Sequence, residues 1–263
     1  MNRKGLVSVL SIAVLLSFAK GARAASSPSA AELAAITQRG LLLAEYDAAA
    51  WHATDAVLAT HPKEGSSNRY IGHKTDAGWV VDFGKLNGTG DKFLVVSEAV
   101  QTGGEYTVRG FDPAREDTGW NLAAAKGIET AMRDFHGADR PYNVAVLPAR
   151  SGGLYVYLYP AQVKAGVYPL GADIRYRISP DGMNIIEKRQ MHKGIIEYGP
   201  VSGSEKESAG YHTHVLSDVP EDSDVFLVLI RQPRVPEIVV TQRYMYTIGI
   251  DGKITVQDRP LAK

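Results

Sequence analysis

Gly210-Tyr211-His212-Thr213-His214-Val215-Leu216-Ser217-Asp218-Val219-Pro220-Glu221-Asp222-Ser223-Asp224 carries the densest run of metal-ligating side chains in the chain. Successive side chains on a β-strand point to opposite faces, so a strand over Ala209 to Val215 turns His212 and His214 to the same side. Two imidazoles placed that way can share one divalent ion. Pro220 breaks the chain, and Ser217, Asp218, Asp222 and Ser223 are residue types that cap helices and populate their first turns. A helix is therefore expected over Ser223 to Arg231, with Asp224 at its start. Asp224 is the first choice for an oxygen ligand, leaving a fourth position to water. Asp218, Glu221 and Asp222 add negative charge that favours a cation. Water on such an ion loses a proton near neutral pH and becomes a nucleophile.

Working outward from this stretch, the flanks alternate between strand and helix signals. Downstream, Glu237 to Thr241, Tyr244 to Ile250 and Lys253 to Val256 are expected strands, the last two joined by Asp251-Gly252. Upstream, Ile174 to Ser179 and Asn184 to Tyr198 form a hairpin around Pro180-Asp181-Gly182. Before it, Tyr142 to Leu147 and Leu154 to Tyr159 flank Ser151-Gly152-Gly153. Tyr155, Tyr157 and Tyr159 alternate with Val156 and Leu158, which suits a strand buried on both faces. A helix over Gly119 to Phe135 starts after Asp117 or Thr118, with Leu122, Ile128, Met132 and Phe135 on its apolar face.

Residues 112 to 118, opening with Asp112-Pro113 and then charged, are expected to separate residues 25–116 from residues 117–263. The first of these regions starts with a helix capped by Ser29. It runs from Ala30 to Ala59, stops before His61-Pro62, and has Leu33, Ile36, Leu43, Tyr46, Trp51 and Leu58 as core contacts. Gly40 is a site for a bend. Strands at Arg69 to Lys74 and Trp79 to Leu86 flank the turn Asp76-Ala77-Gly78, and Asp91 to Val100 and Tyr106 to Phe111 extend an antiparallel meander. His52, His61 and His73 lie there singly, as solvated or core residues. The expected class is α+β: an N-terminal helix with a meander, then a mixed sheet with helices.

The first 24 residues have the pattern of a cleavable signal peptide. Arg3 and Lys4 precede an apolar run from Gly5 to Ala19, and Ala22-Arg23-Ala24 is a small-x-small cleavage site. The run is shorter than the ~20 residues that cross a bilayer as a helix. A periplasmic or secreted protein starting at Ala25 is expected, with no membrane span after cleavage. The chain of 263 residues contains no cysteine, so its core must hold without disulfides. Cleavage takes away four of the 29 basic residues and none of the 29 acidic ones, leaving a net charge of about −4. No cluster of Lys and Arg is present to grip phosphates, which argues against a nucleic-acid partner.

The His-x-His strand, the proline-containing loop and the aspartate on a new helix resemble the JAB/MPN metallopeptidases. In that family His-x-His is followed after about ten residues by Ser-x-x-Asp, and the two histidines and the aspartate hold zinc. The resemblance covers roughly residues 117 to 258 and also looks close to an uncharacterised exported bacterial branch of the fold. It implies His212, His214 and Asp224 as zinc ligands, and a zinc-dependent hydrolase of a peptide or isopeptide bond. The alternative is a JAB-like protein without activity that binds a peptide or cell-envelope ligand. A third possibility leaves His212 and His214 as structural histidines.

The spacing from His214 to Asp224 is one residue short of the family's, which keeps Asp222 and Asp218 open as ligands. Glu221 stands where the family has its serine, with Ser217 and Ser223 close by. Residues 140 to 165 contain no acid where the family carries its general base. Glu197, with Glu187 behind it, is the nearest substitute on a strand, and Glu197 is the expected catalytic base.

Overall fold

The computed structural model describes residues 28–150, 152–200 and 207–259. The stretch expected to be a signal peptide, with its expected cleavage site, lies outside the described residues. The architecture is α+β, with three helices and fourteen strands among the described residues.

Helix α1 spans Ala30–Leu58, and the Ser29 hydroxyl accepts from the Glu32 amide, satisfying one of the free donors of the first turn. Its buried face runs through Leu33, Ile36, Gly40, Leu43, Tyr46, Ala49, Ala50, Ala53 and Val57. Trp51 and Leu58, expected in the core, are 65% and 59% exposed. Each follows directly on a residue of the buried stripe, Ala50 or Val57, and one helical step rotates it out of the interface. Gly40 does not interrupt the helix. It is a crossing point, because a Cβ there would stand 2.5 Å from the Val225 Cβ and 2.7 Å from the Asp222 carbonyl.

Strands β1 (Arg69–Thr75), β2 (Gly78–Leu86), β3 (Phe93–Thr102) and β4 (Glu105–Asp117) form an antiparallel meander in that order. Thr75 pairs with Gly78 across the expected turn. β4 runs through the stretch expected as a boundary. Pro113 is tolerated because β4 is an edge strand and the pairing skips there, from Ser97↔Gly110 to Val95↔Arg115.

Helix α2 (Trp120–Asp134) follows, with the Asp117 carboxylate accepting from the amides of Gly119, Asn121 and Leu122. Met132 is half exposed. Beyond it, β5 (Tyr142–Pro148), β6 (Leu154–Pro160), β8 (Ile174–Ile178) and β9 (Ile185–Gln190) make a second antiparallel sheet. The short strands β7 (Tyr168–Gly171) and β10 (Ile195–Tyr198) pair with each other.

The last sheet is mixed. β11 (Gly210–Thr213) runs parallel to β12 (Glu237–Val240), with helix α3 (Asp222–Ile230) between them in sequence, and β13 (Tyr244–Ile248) and β14 (Ile254–Asp258) continue antiparallel.

The apolar interior crosses residue 117 freely. One cluster joins Leu43, Tyr46, Trp79 and Val81 to Leu147, Tyr157 and Phe226, and another joins Ile71, Phe93 and Val95 to Leu122, Ile128 and Val156. The segments on either side of the expected boundary therefore share cores. A third cluster packs Leu33 and Ile36 of α1 against Val225, Val228 and Tyr246. It pins α3, and with it Asp224, to the long N-terminal helix.

Candidate metal centre

His212 and His214 are buried on the same side of β11 and its extension, while Tyr211, Thr213 and Val215 face outward. His214 lies one residue beyond the strand, and its amide continues the ladder by donating to the Val240 carbonyl at 2.8 Å. Asp224 is the third residue of α3. Its Oδ2 accepts from the Glu221 amide at 2.7 Å in a capping box, so the helix start itself orients the carboxylate. Arg189 of β9 holds Glu221 from the other side, through both carboxylate oxygens at 2.7 and 2.8 Å.

A third histidine completes the group. The strand expected over Asn184 to Tyr198 is two strands, β9 and β10, in different sheets, and Met191 to Gly194 form the break between them. His192 lies in that break and turns inward. Gly171 of β7 makes the approach possible, since its φ is +108° and a Cβ there would collide with the Gly194 carbonyl.

Single ligand atoms from His192, His212, His214 and Asp224 all lie within 4.8 Å of one another. The Nε2 atoms of His192 and His212 are 3.0 and 3.1 Å from that of His214. Asp224 Oδ1 is 3.0 Å from His192 Nε2 and 3.2 Å from His212 Nε2, and its Oδ2 is 3.1 Å from His214 Nε2. Ligand–ligand edges in a tetrahedral zinc site are about 3.3 Å, because metal–nitrogen bonds are about 2.0–2.1 Å. The five contacts above, at 3.0–3.2 Å, are close to that size, with Asp224 reaching two rings through Oδ1 and the third through Oδ2.

The outward ring nitrogens determine the tautomers. His192 Nδ1 lies 2.9 Å from Asp173 Oδ1, His212 Nδ1 2.8 Å from Glu237 Oε1, and His214 Nδ1 3.0 Å from the Val219 carbonyl. Carboxylates and carbonyls only accept, so each Nδ1 carries the hydrogen, and each neutral ring presents a bare lone pair at Nε2. Three lone pairs and a carboxylate thus converge with no donor among them. Asp224 Oδ1 is buried and accepts no hydrogen bond, although two imidazole nitrogens stand beside it. Either a cation or added protons must satisfy such a centre.

The electrostatics agree. Burial opposes a charge on His192, but Asp173 and Asp224 outweigh it and hold its pKa well above the ordinary value. Burial likewise opposes charge on His212, but the Asp224 and Glu237 carboxylates on either side of the ring favour its protonated form and push its pKa up to about 9. Desolvation disfavours the Asp224 carboxylate too, yet His192 and His214 keep its carboxyl well below the usual range. Asp173, Asp224 and Glu237 are three buried carboxylates, and the Arg231 guanidinium, 3.1 Å from Glu237 Oε2, is the one buried cation beside them among the described residues. With neutral imidazoles this leaves two negative charges, which one divalent ion balances.

The other expected residues lie elsewhere. Glu197 is on β10, 55% exposed, with its carboxylate 3.3 Å from Arg140 Nη1. The neighbouring Tyr198 is the one that points inward, donating to Glu237 at 2.7 Å, and strand alternation sends Glu197 the opposite way. Glu187 pairs with Arg177 at 3.3 Å. Asp222 is enclosed by Arg39, Arg175 and the Tyr157 hydroxyl, and Asp218 pairs with Arg243 at 2.6 Å. Ser217 donates to the Val219 carbonyl at 2.6 Å and stands 3.2 Å from His214 Nδ1, while Ser223 faces the Met191 sulfur. His192 escaped the sequence reading because apolar pairs on both sides, Ile185-Ile186 and Ile195-Ile196, make residues 184–198 look like one strand. Gly194 is the signal that marks the break.

Compared with protein-family models, with curated proteins and with solved structures, the chain matches none.

Proposed function

We propose that this chain is an exported protein, periplasmic or secreted, that holds one divalent metal ion, zinc first, on His192, His212, His214 and Asp224. It acts by binding rather than by hydrolysis. The observation that carries the proposal is the convergence of four acceptor atoms, each imidazole fixed through its Nδ1 by a buried carboxylate or a carbonyl. Outer partners of this kind are the usual support of metal-bound histidines.

A JAB/MPN-like origin is supported by the order of parts: a strand with His-x-His, a loop with proline, Asp224 in the first turn of α3, and a parallel strand after it. Two features favour the inactive, ligand-binding alternative over the hydrolase. His192 fills the vertex that a hydrolase of this kind leaves to water. The neighbouring carboxylates are also already engaged, Asp173 and Glu237 by imidazoles and Glu221 by Arg189, while Glu197 faces away beside Arg140. General-base catalysis contributes about 10²–10⁴-fold and needs a carboxylate able to take a proton. The partner is a peptide or cell-envelope ligand.

The test combines metal content with a hydrolysis assay on the purified chain. About one zinc per chain that survives dialysis, with no cleavage of peptide or isopeptide substrates, is expected. Cleavage that disappears in His212→Ala would overturn the binding assignment.

A further inference from the structure

A partly enclosed cavity of about 140 Å³ adjoins the centre, with His192, His212 and His214 among its lining residues. Its walls come from Leu170, Ile196, Val215 and Leu216, and among the described residues no carboxylate lines it. Lys193 is the one charged lining residue among the described residues apart from the histidines. The volume is about that of four or five waters. Ile196, Val215 and Leu216 are all exposed, which gives the opening an apolar lip. His192 is the most accessible of the three rings, with 10% of its side chain exposed against 1% for each of the others.

We infer that this cavity admits a small carboxylate with a short apolar substituent as an additional ligand beside His192. The inference rests on the metal assignment above. A divalent ion on three neutral imidazoles and one carboxylate keeps one positive charge in its inner shell. Asp173 and Glu237, which with Arg231 balance it overall, lie behind the His192 and His212 rings and off the cavity wall. The cavity therefore faces the cationic side of the centre, which attracts a monoanion. Zinc sites with four ligands can expand to five. Lys193 adds a second positive charge at the entrance, and among the described residues no acid on the cavity wall opposes it. Leu170, Ile196, Val215 and Leu216 offer apolar surface to the substituent. A carboxylate therefore fits better than an amide of the same shape, and butyrate better than formate.

Cobalt(II) serves as the probe, because its visible absorption responds to changes in coordination. The full chain is loaded with cobalt and titrated with formate, butyrate and butyramide. The expected result is a saturable spectral change with butyrate, about tenfold tighter than with formate, and none with butyramide. Lys193→Gln should weaken butyrate about two- to fivefold while leaving the cobalt spectrum of the ligand-free protein unchanged. A cobalt-loaded protein whose spectrum ignores all three compounds would overturn the carboxylate site and leave the metal centre standing. A chain that takes up no cobalt at all would overturn both.

Discussion

Replacing His192 by alanine separates a four-ligand centre from the three-ligand site legible in the sequence. Structural zinc sites with four ligands are worth roughly 10–16 kcal/mol, or about 3 kcal/mol for each ligand. Loss of one ligand should therefore raise the zinc dissociation constant about a hundredfold. At a fixed free zinc concentration well above that constant, the stabilisation from binding falls by about 2.7 kcal/mol. For a chain of this size that corresponds to roughly 5–10 °C in melting temperature. The quantity to measure is the difference in melting temperature between zinc-buffered and chelator-containing samples, which cancels the effect of the substitution on the metal-free fold. Glu197→Gln is the matched control. Its carboxylate is exposed on a surface pair with Arg140, so zinc stabilisation should be unchanged. If His192→Ala keeps zinc affinity within a few-fold of the parent, His192 is not a ligand and water or another group completes the site.

Asp173→Asn keeps the shape beside His192 Nδ1 but removes the charge, and should weaken zinc binding about 10–100-fold in a competition titration. Zinc binding should tighten as pH rises. His212, with its pKa pushed up to about 9, and His192, also raised, hold protons that the metal must displace. The same protons stabilise the metal-free fold fully below the ordinary histidine pKa of about 6.5, and that contribution fades as pH climbs through about 9. The gain in melting temperature on adding zinc should thus be larger at pH 8.5 than at pH 6, and a flat or inverted trend would refute the proton-for-metal exchange. Gly40→Ala drives a methyl group against Val225 and the Asp222 carbonyl, costing about 1–3 kcal/mol in chemical denaturation. The same clash displaces the start of α3, so zinc affinity should fall with stability.

Local chemistry was legible wherever it acts over a few residues. Ser29 caps α1, Asp76-Ala77 turns β1 into β2, and alternation along β11 places His212 and His214 together. What the sequence concealed depends on which surfaces meet. Trp51 and Leu58 look like core residues, but the stripe that packs is the one carrying Ala50, Ala53 and Val57, whose small side chains let α1 lie close. Pro113 reads as a break, although an edge strand with a skipped register accommodates it. The decisive case is the change of sheet between β9 and β10. No local propensity marks it strongly, yet it turns His192 inward and leaves Glu197 facing Arg140. The shared cores across residue 117 are hidden for the same reason, since they form between segments far apart in sequence.

The most direct test of the metal centre is an anomalous difference map from crystals of the zinc-loaded protein, collected on both sides of the zinc absorption edge. One strong peak is expected at the point equidistant from the Nε2 atoms of His192, His212 and His214 and the Asp224 carboxylate, with all four within about 2.0–2.2 Å of the ion. A peak elsewhere in the chain, or an ion bound with the His192 ring turned away, would contradict the four-ligand centre.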